Sequence, residues 1–324
     1  MHVNAREAVS RALAQKGTIE QVYWVGCGGS LIDLMPADYM LRTESASIES
    51  HALTARELTV ATPKRLGEHS MVVALSHSGG TPEVVEACKL AASRGAYIFT
   101  MTSTADTPVD DPAWDCFVYD WNDDTPQRDL DAAQALMVCA ELIQAQEGYA
   151  AYDALYQGID ELDDIIVRAR EKVRAELCEP FADACCKHDF FYILGSGANF
   201  AQTYGFAICS LMEMQWQNCA YIHSAEYFHG PFECTEPGVL YFLQMSSGPS
   251  RVEDERALAF IETHTDSYLV LDALAYGMDR VDERVRAYLE PIMVYYMNVE
   301  LRAARGRVFD HDPSIRRYMG IEKY

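Results

Sequence analysis

A short apolar run, Met71-Val72-Val73-Ala74-Leu75, passes directly into a turn of hydroxyls and glycines, Ser76-His77-Ser78-Gly79-Gly80-Thr81. A helical pattern, Pro82-Glu83-Val84-Val85-Glu86-Ala87-Cys88-Lys89-Leu90-Ala91-Ala92, follows at once. The run has the length and β-branched content of a buried strand. Thr81 suits an N-cap and Pro82 the first helical position. Strand, glycine turn and helix in immediate succession constrain the chain to a parallel α/β architecture, because each strand must be covered by the helix that follows it. The same succession recurs at Val22-Tyr23-Trp24-Val25 with Gly26-Cys27-Gly28-Gly29-Ser30, and at Phe190-Phe191-Tyr192-Ile193-Leu194 with Gly195-Ser196-Gly197.

Periodicity elsewhere completes the pattern. In the first half it predicts helix 2–16, strand 21–25, helix 31–42, a short strand near 46–50, strand 71–75 and a helix from Pro82. Strands 97–101 and 116–119 and a helix over about 128–146 follow. Residues 151–187 read as a charge-rich helical connector. The second half reads as strands 190–194, 239–243 and 267–271, a helix over 199–214, and a buried helix near 284–304. The halves form a weak internal repeat. The expected organisation is a first α/β domain over 1–150, the connector 151–187, and a second α/β domain over 188–324.

The Ser76–Thr81 turn places three hydroxyls, two glycines and a helix N-terminus together. Exposed amides, a positive dipole end and short donors make an anion site, most often for phosphate. Gly26-Cys27-Gly28-Gly29 lacks the G-x-G-x-x-G spacing of a dinucleotide site, and no single ribose-binding acid stands about 20 residues on. A net charge of −23 argues against nucleic acid and anionic membrane as partners. It also repels a sugar phosphate at long range, so binding has to rest on local donors. No run of apolar residues is long enough for a transmembrane helix, and the N-terminus lacks the apolar core of a signal peptide. The ten cysteines include no C-x-x-C pair and fall mostly in apolar segments, as expected of reduced core residues in a cytoplasmic protein.

The pattern S-x-S-G-x-T-x-E at Ser76–Glu83 resembles the phosphosugar-binding loop of SIS (sugar isomerase) domains. Gly29-Ser30 matches the Gly-Ser turn that faces the sugar phosphate in that family. The resemblance implies two tandem SIS domains, each a parallel sheet sandwiched by helices in the flavodoxin-like three-layer manner. It implies Gly29, Ser30, Ser76, Ser78 and Thr81 as the phosphate-binding residues. The second-half counterpart, Met245-Ser246-Ser247-Gly248-Pro249-Ser250, is only loosely similar, so phosphate binding is expected to be lost there.

Glu213 ends an apolar helical stretch that includes Phe206, Ile208, Leu211 and Met212. A carboxylate in such a setting suits a general base near neutral pH. His229 precedes Gly230-Pro231, which ends any helix and favours an exposed imidazole. An acid followed sixteen residues later by a histidine in H-G-P is similar to the isomerase half of glucosamine-6-phosphate synthase. There the acid moves a proton between C1 and C2, and the histidine comes from the neighbouring subunit. The wider segment Ser224–Glu233 and the tail Arg316-Arg317-Tyr318-Met319 resemble the fructosamine-6-phosphate deglycases more closely. Two departures from the synthase matter: no glutaminase domain is expected ahead of the first SIS domain, and the synthase lysines have no counterpart, Ser210 standing in one place.

The resemblance therefore implies an enzyme that cleaves a 6-phosphorylated fructosamine into glucose 6-phosphate and a free amino acid. Glu213 and His229 would be catalytic, and no metal or redox cofactor would be needed. The expected partners are a small phosphosugar–amino acid substrate and further copies of the chain, in a homodimer or higher oligomer with shared active sites. A cationic clamp for the amino acid would come from Arg251, Arg316 or Arg317. Two rival readings are an aldose–ketose phosphosugar isomerase, which liberates no amine, and a non-catalytic sugar-phosphate sensor, which tolerates loss of Glu213.

Overall fold

The computed structural model describes residues 1–323, which divide into two compact units, one ending at Asp160 and one beginning at Glu161. In the first, β1 (Gln21–Gly26), β2 (Glu49–Thr54), β3 (Ser70–Leu75), β4 (Tyr97–Thr102) and β5 (Asp115–Val118) form one parallel sheet, ordered β2-β1-β3-β4-β5. Every residue of β1, β3 and β4 is buried, as expected of parallel strands covered on both faces. On one face Tyr23, Val25, Val72, Ala74 and Ile98 pack with α3 (Ala55–Val60) and α4 (Pro82–Ser93), through Leu58, Val84, Ala87 and Cys88. On the other lies α2 (Gly29–Glu44), packed against α5 (Asp131–Gln146), which also meets α1 (Ala5–Lys16). Trp24 is fully buried there, so its indole N–H needs a partner. It donates to Ser50 Oγ at 2.8 Å, and that hydroxyl donates to Asp38 Oδ1 of α2 at 2.8 Å.

Three boundaries differ from the sequence reading. The first helix starts at Ala5, because Asn4 and Glu7 form a reciprocal capping box. Met1–Val3 instead runs beside β5, with Val3 N donating to Cys116 O at 2.9 Å and Cys116 N to Met1 O at 3.0 Å. The strand expected near 46–50 lies at Glu49–Thr54, because the preceding backbone is taken by the Glu147 carboxylate: Ala46 N at 2.9 Å and Ser47 N at 3.1 Å. The helix expected from 128 begins at Asp131 after a 3-10 turn, Gln127–Asp129.

The segment 151–187 is helical, as α6 (Tyr152–Glu176) and α7 (Cys178–Lys187). The second unit's sheet comprises β6 (Phe190–Gly195), β7 (Asn218–His223), β8 (Leu240–Met245) and β9 (Tyr268–Asp272), all parallel in the order β7-β6-β8-β9. The edge strand β7 was not anticipated: its short apolar run Cys219–Ile222 is flanked by Asn218 and His223, and only Cys219 and Ile222 of the strand are buried. One sheet face packs Leu194, Tyr241, Leu243 and Met245 against Tyr227, Ala257 and Ile261. An aromatic cluster of Phe181, Phe191, Phe206 and Phe242 fills the other. The helix expected over 199–214 is broken into a 3-10 turn (Gly197–Asn199), α8 (Phe200–Gly205) and a π-helical segment (Phe206–Glu213). After β8, α9 (Arg251–His264) leads to β9, and α10 (Arg286–Val308) is buried as expected. Two of its buried polar side chains are tied to neighbouring elements: Gln244 Nε2 donates to Asn298 Oδ1 at 2.7 Å, and Arg305 donates to Gln217 Oε1 at 2.8 Å.

Candidate active site

In the first sheet β1 and β3 are neighbours, yet α2 and α4, which follow them, cover opposite faces. Strand order reverses here, and a crevice at the carboxyl ends of such strands is where open α/β sheets bind ligands. Both anticipated loops leave at this point. Gly26 is required there, because a Cβ would lie 2.8 Å from Leu31 N of α2. Gly29 and Ser30 open α2 and are at least partly exposed.

The turn after β3 is built by its own hydroxyls. Thr81 occupies the N-cap in extended conformation, but its side chain makes no capping bond. Its hydroxyl instead pairs with Ser76 Oγ across the turn at 2.9 Å, and Thr81 N points at that same oxygen at 3.4 Å. Ser76 is buried and Ser78 is exposed. Gly79 has φ +70°, and a Cβ would fall 2.0 Å from Thr107 Oγ1, so no other residue fits.

In the second unit the π-helical winding carries Glu213 to the segment's end, where it is partly exposed rather than sunk among apolar side chains. Arg316 meets it: Nε and Nη2 lie 3.0 and 2.8 Å from Oε1. Met212, Glu213, Trp216, Asn218, Arg316 and Arg317 are among the walls of a cavity of about 280 Å³. His229 ends a 3-10 turn (Ser224–His229) and is exposed. Buried Tyr227 anchors that turn, and Arg256 stacks on Phe228 at 4.2 Å. His229 is not among the residues lining the Glu213 cavity.

Over 95% of its length the chain is 34% identical to fructosamine deglycase FrlB of Bacillus subtilis (strain 168), 93% of which is covered. The chain belongs to the fructosamine deglycase family. It is 27% identical over 94% of its length to the fructoselysine 6-phosphate deglycase of Escherichia coli K12, covering 87% of that protein. A crystal structure from Salmonella typhimurium LT2, a candidate phosphosugar isomerase, is similar with TM-score 0.92 and 35% identity, over 99% of this chain and 96% of that one. No family model matches the chain. The two α/β halves of this deglycase are SIS domains.

The second SIS loop of the deglycase is filled from within. Ser246 Oγ and Ser247 N both donate at 2.6 Å to Glu290 of α10, while Ser246 N donates at 2.9 Å to Asp254 of α9. Ser196 Oγ adds a bond of 2.8 Å to Asp254. Carboxylates of the chain thus sit on the donors that in the first domain remain at the end of the sheet. Burial, opposed by the bonds from Ser246 and Ser247 and reinforced by Asp254, pushes the Glu290 carboxyl up to about 7.

Three residues of the deglycase were missed at the sequence level. His77 stands between Ser76 and Ser78, with Nδ1 3.0 Å from the Tyr119 hydroxyl. Its place inside the loop motif was the available signal; that of Tyr119, forty-two residues on, was not. Arg302 of α10 brings a cation beside Ser210, 3.4 Å from its Oγ, and 3.0 Å from Met214 Sδ. Burial lowers its pKa, while Glu213 is among the groups that oppose this. Of the three arginines considered as a clamp, Arg251 is already committed: it is bidentate to Asp272 at 2.7 Å on both nitrogens and bonds Glu255 at 2.8 Å. No helix among the described residues is long and apolar enough to cross a membrane.

Proposed function

We propose that this deglycase converts a 6-phosphorylated fructosamine into glucose 6-phosphate and a free amino acid. Ser76, Ser78 and Thr81, with Gly29 and Ser30, hold the phosphate. Glu213 takes a proton from C1 of the ketosamine, giving the enaminol, and a proton is returned to C2, giving the C1 imine. Water adds to that imine, and the C1–N bond breaks to release the aldose and the amine. His229 assists ring opening by proton transfer at O5. The observation that carries this reading is the identity to a fructosamine deglycase over nearly the whole of both chains. The convergence of two glycine–hydroxyl loops at the switch point supports the phosphate role. Because His229 lies outside the Glu213 cavity, the proposal includes a homo-oligomer in which one chain's histidine serves another's site.

The test is incubation with 6-phosphofructosyl amino acids, following glucose 6-phosphate and free amine together. Both should appear in equal amounts; sugar isomerisation without amine release would instead favour a phosphosugar isomerase. Glu213→Gln keeps the shape but removes the base, so turnover should fall by roughly 10²–10⁴-fold while substrate still raises the melting temperature. A folded, substrate-binding Glu213→Gln protein with normal turnover would disprove the mechanism.

A further inference from the structure

In the structure the base of the proposed reaction is held in an ion pair. The Nε/Nη2 edge of Arg316, the edge by which a guanidinium grips a carboxylate, is spent on one oxygen of Glu213. The third nitrogen, Nη1, donates to the backbone carbonyls of Pro313 and Ile315, so the guanidinium is fixed in place by its own tail. The tail is itself pinned: His311 Nε2 lies 2.9 Å from Met214 O, and its ring meets Trp216 at 4.5 Å. The next residue, Arg317, lies 4.0 Å above the Trp216 ring on the wall of the same cavity, with no carboxylate partner among the described residues. Two adjacent cations at one cavity are conspicuous in a chain of 26 basic and 49 acidic side chains.

We propose that Arg316 and Arg317 form the binding site for the carboxylate of the substrate's amino-acid half, and that this carboxylate displaces Glu213 from Arg316. The inference rests on the deglycase reading above. In a fructosamine formed on an α-amino group, the carboxylate carbon is three bonds from C1, the carbon Glu213 has to deprotonate. A cation that touches the base therefore lies where that carboxylate arrives. The Glu213 carboxylate now on Arg316 is the same functional group and stands in for it. Exchange leaves the fork edge of Arg316 paired, adds Arg317 as a second ligand, and frees Glu213 Oε1 to accept the C1 proton. The ligand class is a 6-phosphoketosamine whose carboxylate adjoins the nitrogen. Arg316 acts on Glu213 as a positioning residue.

The experiment compares two substrates that differ only in this group, 6-phosphofructosyl-glycine and 6-phosphofructosyl-methylamine, assayed by glucose 6-phosphate release. The wild-type protein should favour the glycine adduct by tenfold or more in kcat/KM. In Arg317→Gln that preference should shrink to within about threefold, chiefly through KM for the glycine adduct. Arg316→Lys, which retains the charge but not the fork, should lose the preference partly and lower kcat as well. Equal kcat/KM for the two substrates in the wild-type protein, with both hydrolysed, would overturn the clamp and leave the deglycase reading standing. Release of glucose 6-phosphate from neither substrate would overturn that reading and the clamp with it.

Discussion

Replacing Glu290 with Gln tests whether the second SIS loop is closed by an internal charge. Glu290 is completely buried, and its carboxyl is raised from the ordinary 4.5 to about 7. A carboxyl raised on folding contributes stability that is fully present below its unfolded pKa and is lost as pH rises through the folded one. The window is therefore about pH 4.5 to 7, and across it this group alone should remove roughly 3 kcal/mol, at about 1.4 kcal/mol per unit. Gln is isosteric and stays neutral. Its carbonyl can accept from Ser247 N and its amide can donate to Ser246 Oγ, which keeps both contacts that Glu290 now makes. At pH 5 the variant and the wild-type protein should then differ little. At pH 8 the variant should be more stable by roughly 2–3 kcal/mol, or roughly 5–10 °C in melting temperature for a unit of this size. Thermal denaturation of both proteins at the two pH values, at one protein concentration, reads the difference of differences, so other titrating groups cancel. A variant-minus-wild-type offset that is equal at pH 5 and pH 8 would refute the reasoning.

Three further outcomes follow from the site. Ser78→Ala removes a donor to a charged ligand, and kcat/KM should fall roughly ten- to hundredfold; unchanged kinetics would remove Ser78 from the phosphate site. Gly79→Ala forces a Cβ against Thr107 and a left-handed backbone onto alanine, so both the melting temperature and phosphate affinity should drop, by more than about 1 kcal/mol in stability; a melting curve that superposes on the wild-type one would contradict the close packing. Mixing inactive Glu213→Gln and His229→Asn proteins should restore some turnover through hybrid sites if chains exchange histidines. No recovery after proven subunit exchange would place both groups of one site in one chain.

Much of the fold was legible because parallel strands buried on both faces must be apolar along their whole length. Val22–Val25 and Met71–Leu75 are such runs, and Phe190–Leu194 is equally apolar although Phe190 itself is exposed; all three strands lie inside their sheets. The missed strand, Asn218–His223, is an edge, where one side faces solvent and mixed polarity is tolerated. Glycines and hydroxyls that a turn requires are local, so the Ser76–Thr81 loop could be read directly. Its internal wiring could not, since Thr81 bonds Ser76 rather than its own helix.

Chemistry that depends on distant residues was decided by the tertiary structure. Sequence alone determined the parallel α/β class, the glycine–hydroxyl turn after Leu75, and an acid and a histidine at the family spacing. It placed Glu213 in an apolar helix, but the π-helical winding turned it to a cavity and the tail, 103 residues on, supplied Arg316. The divergence of the second loop was visible in Met245–Ser250, whereas its occupation by Glu290, 44 residues away from Ser246, was not. Backbone patterns repeat over a few residues and leave a local trace. A carboxylate's partners are set by which helices the fold brings together, and for that no neighbouring residue carries a mark.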